Sequence, residues 1–286
     1  MRKTTNKTTK EDKIKEIMTQ LETGVDEIFS SGKYAEYLKT MSKFHHYSLN
    51  NCILIAMQCP EATHVAGYRA WQEKFNRHVK KGETALRIII PIAHKYTKRV
   101  EKEDGSTEDV EAQYIKYTVG SVFNITQTEG EELPSISVDE LPETEQESRC
   151  KRLYKRICGL SEASVTTEKI DGDCHGYFSP KDNRIVVKKG MTSIQTLKTL
   201  VHELAHSKMH GKGCEWEQVD RQTKEMQAES VAYVVCSHLG IDTSEYSFGY
   251  IAGWSQGKER KELTSNLEAI KKIASEIIDG VESKAK

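Results

Sequence analysis

The stretch SIQTLKTLVHELAHSKMHG, residues 193–211, decides the fold of the second half of this chain. Its apolar residues recur at helical spacing, so the sequence predicts a helix that ends near Gly211. His202 and His206 are four residues apart, which places both imidazoles one turn above each other on one face. Glu203 lies between them. An HExxH motif on a helix predicts a zinc site with a glutamate beside it, provided that another element supplies a third ligand.

The next helix, expected from about Gln218 to Leu239 and closed by Gly240, offers two carboxylates as that ligand. Glu225 lies one turn from Arg221, so solvation and an ion pair are enough to account for a charged side chain there. Glu229 shares its face with apolar side chains and would be desolvated at large cost unless it is paired or bound to metal. We therefore predict Glu229 as the third ligand. Glu225 is the reserve, or a group that orients one of the histidines.

Other side chains near the motif are weaker candidates. His210 lies at the end of the same helix, where the helix dipole explains it. Cys214 and Glu215 follow in the next loop, and Cys174 and His175 precede a predicted strand. Such residues more often pack or face solvent than bind metal.

The predicted ligand set implies a reaction. Two imidazoles and one carboxylate leave an open position on zinc for a water molecule. Glu203 would take the proton of that water and pass it to the leaving amine. A strand near Arg184–Val187 could pair with an extended substrate. The residue that stabilises the oxyanion stays open among Tyr233, Tyr246 and Tyr250.

The composition favours a globular protein of two domains. The chain has 286 residues, of which 37% are hydrophobic and 30% charged. The first ten residues lack the apolar segment of a secretory signal, and the longest apolar runs are too short to span a bilayer. The seven cysteines form no CxxC pair, which favours reduced thiols. We therefore expect a cytoplasmic protein with no membrane partner.

Charge is distributed unevenly along the chain. Residues 1–100 carry 18 Lys and Arg against 10 Asp and Glu, whereas residues 101–150 carry 3 against 14. A basic front end indicates a polyanionic partner, and the acidic middle indicates a solvated linker.

Periodicity predicts an α+β fold. Helices are expected over Ile14–Phe29, Tyr34–Phe44 and Asn50–Cys59, followed by strands at Leu86–Ile90 and Tyr114–Phe123 around an Asp104-Gly105 turn. Residues 126–148 have the composition of a linker. A helix over Cys150–Cys158, short strands at Gly176–Phe178 and Arg184–Val187, and a last helix over Glu259–Ile278 complete the second half.

The front end mixes aromatic and cationic side chains between Tyr47 and Gly82. Bases stack on aromatic rings while cations follow phosphates, so this mixture suits single-stranded nucleic acid. Trp71 and Tyr68 could equally be core residues beside a basic loop. The candidate nucleic-acid-binding residues are Tyr47, Asn50, Tyr68, Arg69, Trp71, Arg77, Lys80 and Lys81.

Several segments resemble the ArdC-like antirestriction proteins. Residues 47–92 (YSLNNCILIAMQCPEATHVAGYRAWQEKFNRHVKKGETALRIIIPI) and residues 119–134 resemble the N-terminal single-stranded-DNA-binding domain of that family. GYFSPKDNRIVV, HELAHS and EMQAESVAYVVCSHLGI resemble its C-terminal zincin-like metallopeptidase domain. In the family pattern, His202, His206 and Glu229 correspond to metal ligands, and Glu203 to the catalytic glutamate.

The resemblance implies a bacterial protein of a mobile element, one that is carried into recipient cells and shields incoming DNA from restriction. We expect an α+β DNA-binding domain over residues 1–130, an acidic linker over 131–148, and a mainly helical zincin-like domain with a small sheet over 149–286. The expected cofactor is Zn²⁺ or another divalent metal. Single-stranded DNA, double-stranded DNA and an unidentified protein substrate are the expected partners. Two alternatives stay open: a regulatory metalloprotease that cleaves a repressor, and a DNA-protecting protein whose metal is structural.

Overall fold

The computed structural model describes residues 9–30, 32–101, 107–133 and 143–283. In chain order, these residues form α1 (Lys10–Ser30), α2 (Tyr34–Lys43), α3 (Leu49–Gln58), β1 (Val65–Ala66), α4 (Tyr68–Phe75), β2 (Arg77–Val79), β3 (Leu86–Glu101), β4 (Thr107–Asn124), β5 (Thr128–Gly130), α5 (Glu143–Cys158), β6 (Ser164–Glu168), β7 (Gly176–Ser179), β8 (Arg184–Lys188), α6 (Ser193–His210), α7 (Arg221–His238), α8 (Ile251–Ser255) and α9 (Arg260–Ser283). The mixture of helix and strand confirms the α+β class.

Packing divides the chain into two compact units. Unit 1 is drawn from Met1–Gly24 and Ile53–Glu131, and unit 2 from Val25–Cys52 and Glu132–Lys286. Residues 25–52, expected in a first domain of residues 1–130, thus pack within unit 2. The linear domain boundaries remain a prediction.

Unit 1 is built around a long antiparallel hairpin of β3 and β4, with β1 paired to the end of β4. The hairpin was predicted from its β-branched and aromatic residues, but its strands are far longer than expected. The predicted Asp104-Gly105 turn lies outside the described residues. Near its base the hairpin is buried at Leu86, Ile88 and Val122, whereas most of the remaining side chains are exposed.

Unit 2 contains a three-stranded sheet of order β6-β8-β7, in which β8 pairs in parallel with β6 and antiparallel with β7. The β7–β8 hairpin confirms the predicted strands, whereas β6 was not predicted. Since β8 is the central strand, its residues Ile185, Val186 and Val187 are fully buried. The prediction that β8 pairs with an extended substrate is wrong, because both of its edges are already occupied. Strand β7 lies at an edge of the sheet.

Helix α6 packs against this sheet and against α7, as its apolar stripe predicted. Its residues Leu197, Leu200, Val201 and Leu204 are fully buried. Thr192 caps its N-terminus by accepting a hydrogen bond from the backbone of Gln195. Truncating one of these leucines to alanine would cost about 2–5 kcal/mol of folding free energy.

Part of the predicted linker is helical. Residues 143–148 form the first turns of α5, in which Glu147 pairs with Lys151 at 2.7 Å. The expected linker residues 134–142 lie outside the described residues. Among the described helices, none has the length and apolar character needed to cross a bilayer.

Candidate metal centre and nucleic-acid surface

Helix α6 presents the two histidines of the HExxH motif side by side. The Nε2 atoms of His202 and His206 lie 3.1 Å apart. From α7, the Oε2 atom of Glu225 lies 3.5 Å from Nε2 of His202 and 3.6 Å from Nε2 of His206. Ligands of a tetrahedral zinc ion, with bonds of about 2.0–2.1 Å, lie roughly 3.3 Å from one another. These three side chains therefore fit a divalent metal ion.

Glu225, rather than Glu229, is the carboxylate that the fold brings to the histidine nitrogens. The start of α7 is fixed by Asp220, whose side chain accepts hydrogen bonds from the backbone and hydroxyl of Thr223. The two imidazoles hold the pKa of Glu225 well below its usual range. It is therefore ionised, as a metal ligand must be.

A hydrogen-bond chain behind His206 sets the tautomer of its ring. The chain starts at the backbone carbonyl of Glu262, which can only accept a hydrogen bond. Nδ2 of Asn266 donates to it at 2.9 Å. Oδ1 of Asn266 then accepts from Nε2 of Gln227, and Oε1 of Gln227 accepts from Nε2 of His210, both at 2.8 Å.

The end of this chain reaches the candidate ligand. Since Nε2 of His210 donates, and burial lowers the pKa of His210 to about 4, its Nδ1 carries a lone pair. That lone pair accepts from Nδ1 of His206 at 2.9 Å, which leaves the lone pair of Nε2 directed at the candidate centre. His210 thus has a partner that sequence reasoning missed, because Gln227 and Asn266 come from other helices.

Glu203 lies beside the histidines and outside the group of candidate ligands. Its side chain is buried, and this burial raises its pKa despite the neighbouring imidazoles. Strand β7 approaches closely at Gly176, where a Cβ atom would lie 2.6 Å from Cγ2 of Thr199 and 3.5 Å from Cγ of Glu203. A cavity of about 450 Å³ opens here and is lined by His202, Glu203, Glu225 and Glu229 among others.

Glu229 has a different partner. Its Oε2 accepts a hydrogen bond from Oη of Tyr250 at 2.6 Å, and burial raises its pKa. Its role as third ligand remains a prediction. Of the three candidate tyrosines, Tyr246 lines the cavity, Tyr250 binds Glu229, and Tyr233 is buried against Tyr246.

The weaker candidates lie around this centre without joining the ligand group. His175 lines the cavity, with Nδ1 3.4 Å from Nε2 of Gln195. The thiol of Cys174 donates to the carbonyl of Gly176. Cys214 donates to the carbonyl of Lys208. Glu215 lines a separate cavity beside Trp216.

Two of the predicted nucleic-acid-binding residues are structural, which is a correction. Trp71 is 1% exposed and donates from Nε1 to the carbonyl of Phe123 at 2.9 Å, so no base can stack on it. Arg77 is buried, and its guanidinium donates to Thr128 Oγ1 and to the carbonyls of Thr128, Gly130 and Glu131. The ring and the guanidinium are therefore occupied in holding β4 and β5.

The other candidates divide between the two units. In unit 1, Tyr68, Arg69, Lys80 and Lys81 are exposed, and residues 80–83 form the predicted turn, with a positive φ at Gly82. Nζ of Lys80 donates to the carbonyl of Thr126. Tyr47 and Asn50 belong to unit 2. Tyr47 packs its ring against Phe44, and Asn50 is exposed at the start of α3.

The β3–β4 hairpin exposes a set of aromatic and cationic side chains that sequence reasoning did not select. His94, Tyr96 and Tyr114 share one face by register, and the ring of Tyr114 lies 5.2 Å from that of His94 and 5.9 Å from that of Tyr96. Lys98 and Lys116 flank these rings on the same face. We call these five residues the ribbon face. The alternation in HKYTK and YIK could have indicated it.

Cations on the opposite face of the hairpin are paired. Lys95 lies 3.6 Å from Glu111, and Arg99 lies 3.1 Å from Asp109. Among the residues that the structure describes, Lys98 and Lys116 make no such ion pair. The ribbon face therefore presents unpaired positive charge beside aromatic rings.

Fold and site together define a two-unit α+β protein that combines a candidate metal centre on an HExxH helix with an exposed aromatic and basic β-hairpin. Residues 7–123 match the model of the N-terminal domain of anti-restriction factor ArdC. Residues 7–123 therefore belong to that domain family.

A Bacillus anthracis protein, pXO2-81, is 29% identical in an alignment that is 310 positions long with its gaps and covers 96% of this chain. The chain spans about half the length of that relative, 52%. Crystal structures of the antirestriction ArdC protein from plasmid R388 are 19% identical. The metal-free form has a TM-score of 0.49 and covers 83% of this chain and 86% of its own; the Mn(II)-bound form has 0.46, 84% and 85%. With TM-scores below 0.5, neither likeness transfers a property to this chain.

Proposed function

We propose that this protein acts in antirestriction, with a metal-dependent, peptidase-like hydrolase site in unit 2 and a surface for single-stranded DNA in unit 1. The arrangement of His202, His206 and Glu225 around one point, with Glu203 buried alongside, carries the hydrolase part of the proposal. The role in antirestriction is supported by the family of residues 7–123.

His202, His206 and Glu225 would hold a divalent cation, with Zn²⁺ as the first candidate for this donor set. Such an ion supplies Lewis acidity to a water molecule and to a substrate carbonyl. Glu203 stays outside the ligand group and acts as the proton acceptor and donor, and its burial raises its pKa. The edge strand β7 borders the cavity and could add an extended peptide to the sheet.

The test of the hydrolase is the variant Glu203→Gln, assayed on fluorescently labelled casein after loading with Zn²⁺ or Mn²⁺. We expect cleavage to fall by about 10²–10⁴-fold while metal stoichiometry is unchanged, because a proton acceptor is lost and no ligand is. Glu217→Gln, an exchange at a carboxylate that does not line the cavity, is the matched control. Equal cleavage by wild type and Glu203→Gln would reject Glu203 as the proton acceptor.

The same variant separates the functions. If protection of incoming plasmid DNA in recipient cells is lost in Glu203→Gln, proteolysis serves antirestriction. If protection survives, proteolysis is dispensable for it, and the DNA-protecting alternative with a structural metal is supported. Cleavage of a repressor without any effect on protection would support the regulatory metalloprotease.

The DNA part of the proposal rests on the ribbon face. Stacking on exposed rings is tolerant of sequence, and unpaired lysines beside the rings can follow the phosphates of a single strand. We expect Tyr96→Ala/Tyr114→Ala to weaken binding of single-stranded DNA by about 5–150-fold per stacked base. Tyr117→Ala, an exposed tyrosine on the opposite face, is the control.

Salt dependence distinguishes the two basic regions of unit 1. Lys98→Gln/Lys116→Gln should reduce the slope of log affinity against log salt by about 1.4, at roughly 0.7 per phosphate contact on a single strand. Lys80→Gln/Lys81→Gln tests the predicted turn in the same way. A slope that changes only in the second pair would assign the DNA surface to that turn instead of the ribbon face.

A further inference from the structure

A second group of metal-ligating side chains lies in unit 2, apart from the HExxH centre. His45 and His46 come from the turn between α2 and α3, and Asp279 and Glu282 from the last turns of α9. Each residue offers one ligand atom, and these atoms all lie within 4.8 Å of one another. This group shares no residue with the HExxH centre.

His45 is the side chain that calls for a ligand. Its side chain is 6% exposed, yet neither ring nitrogen has a hydrogen-bond partner among the described residues. Buried polar groups are almost always satisfied, because an unpaired one keeps the full cost of losing its water. A metal ion would give one of these nitrogens the partner that it lacks.

The distances around His45 match those between ligands of one ion. Its Nε2 lies 3.4 Å from Oδ1 of Asp279, and the same oxygen lies 3.9 Å from Nδ1 of His46. Ligands of a tetrahedral zinc ion are separated by roughly 3.3 Å. The contact between His45 and Asp279 thus has the spacing of two ligands but lacks the geometry of a hydrogen bond.

Neighbouring helices hold both parts of the group in place. The carbonyl of His45 accepts from Nζ of Lys271 at 2.6 Å and from Oγ of Ser275 at 3.0 Å, both on α9. His238, at the end of α7, donates from Nδ1 to the carbonyl of Ser42 at 2.8 Å. Its Nε2 lies 2.9 Å from Oε1 of Glu282. The backbone at His45 and the carboxylate of Glu282 are therefore held in place by contacts with α9 and α7.

We propose that His45, His46, Asp279 and Glu282 form a second binding site for a divalent transition-metal cation. As metal ligands, two imidazoles and two carboxylates contribute a charge of −2, which a divalent ion balances. Imidazole nitrogen with carboxylate oxygen suits Zn²⁺, Co²⁺ or Ni²⁺ better than Ca²⁺ or Mg²⁺. The ion ties the turn after α2 to the C-terminal end of α9, and entry is open because three of the four ligands are exposed.

The experiment counts ions bound to the full chain by equilibrium dialysis and by the visible absorption of Co²⁺. The variant His202→Ala/His206→Ala removes the HExxH centre and should keep one bound ion per chain. Adding Asp279→Asn and Glu282→Gln should lower the affinity for that remaining ion by at least about tenfold, since even groups behind the ligands change affinity by 10–100-fold. Glu268→Gln changes a carboxylate that lines the same surface cavity as His45, His46 and Asp279 but lies outside the group, and it should leave the affinity for this ion unchanged.

Asp279 and Glu282 are about half exposed, so these near-isosteric exchanges leave the fold intact, as circular dichroism will verify. His45→Ala removes the buried ligand but also leaves a cavity that destabilises the turn. The exchanges at Asp279 and Glu282 therefore decide the outcome. The proposal is overturned if His202→Ala/His206→Ala binds no ion, or if its bound ion is unaffected by the double exchange at Asp279 and Glu282. Failure of casein cleavage in every form would overturn the hydrolase and leave this count untouched.

Discussion

The two histidine clusters of unit 2 offer the same ligand types but are assembled in different ways. His202 and His206 come from one helix at a spacing of four, so local geometry alone juxtaposes them. His45 and His46 are adjacent in sequence, and their carboxylate partners arrive from a helix more than 200 residues further along the chain. A motif shows the first cluster, whereas only packing shows the second.

The clusters also differ in what lies behind them. His206 is backed by a hydrogen-bond chain through His210, Gln227 and Asn266 that fixes its tautomer. His45 has no hydrogen-bonded partner at either ring nitrogen among the described residues. The protein therefore fixes the tautomer of the His206 ring before an ion binds. In the proposed second site, the ion would supply the partner that the His45 ring lacks.

The largest effect is expected from His206→Ala. Loss of a nitrogen ligand should lower the affinity of the HExxH centre for the ion by at least about 100-fold and abolish cleavage. The reason is that the remaining ligands are too few to hold the ion. Isothermal titration with Zn²⁺ measures this. The ion at His45 should be retained, and its simultaneous loss would mean that the clusters are not independent.

Glu225→Ala and Glu229→Ala sharpen the choice of third ligand. We expect Glu225→Ala to weaken Zn²⁺ binding by at least about tenfold, since its carboxylate lies beside both imidazoles. Glu229→Ala should have a smaller effect, because its carboxylate is bonded to Tyr250. The reverse order, seen in the same titrations, would restore the assignment predicted from the sequence.

Gln227→Met tests the chain behind His206. Methionine keeps the size of the side chain but removes the acceptor for His210, so the tautomer of His206 is no longer enforced. Zn²⁺ affinity at the HExxH centre should fall by about 10-fold, within the range for groups behind a ligand. Gln222→Met, an exposed position on the same helix, serves as the control. An equal effect in both variants would deny any role to the chain.

The smallest effect is expected from a change at the N-terminus of α7. This helix carries Glu225 near its start and His238 at its end. Asp220→Ala removes the N-cap and should lower the free energy of unfolding by about 1 kcal/mol at neutral pH. Hydrogen bonds from Thr223 hold the pKa of Asp220 below its ordinary value.

The sign of the pH dependence follows from that shift. A lowered folded-state pKa stabilises the protein above the unfolded value of 3.8, and this stability is lost as the pH falls through the folded pKa. Urea titrations of both forms should therefore converge in acid. A difference that persists unchanged in acid would show that the cap does not act through its charge.

Much of the secondary structure could be predicted because it follows from local periodicity. The apolar stripe around Leu200 and Leu204 predicted α6, and Gly240 predicted the end of α7. The residues that flank the turn at 179–182 predicted the β7–β8 hairpin. Strand β6 was missed, since it exists by pairing with β8. The acidic start of α5 was predicted as linker because its composition is polar.

The site was predicted less evenly. Trp71 and Arg77 have the residue types of a nucleic-acid surface, and only burial reveals that both hold the sheet. The argument for Glu229 from its apolar helix face correctly found a carboxylate that needs a partner, but Tyr250 supplies that partner in the structure. Helix periodicity gives the face of a residue, not what packs opposite it.

The sequence by itself determined the α+β class, the helix that carries HELAH and the resemblance to ArdC-like proteins, because each depends on residues that are neighbours along the chain. Tertiary structure alone decided which carboxylate meets the histidines, which aromatic residues are exposed, and that His45 lies beside Asp279. Those outcomes depend on distances between segments far apart in sequence, and these distances are set by the packing of helices and strands rather than by local spacing.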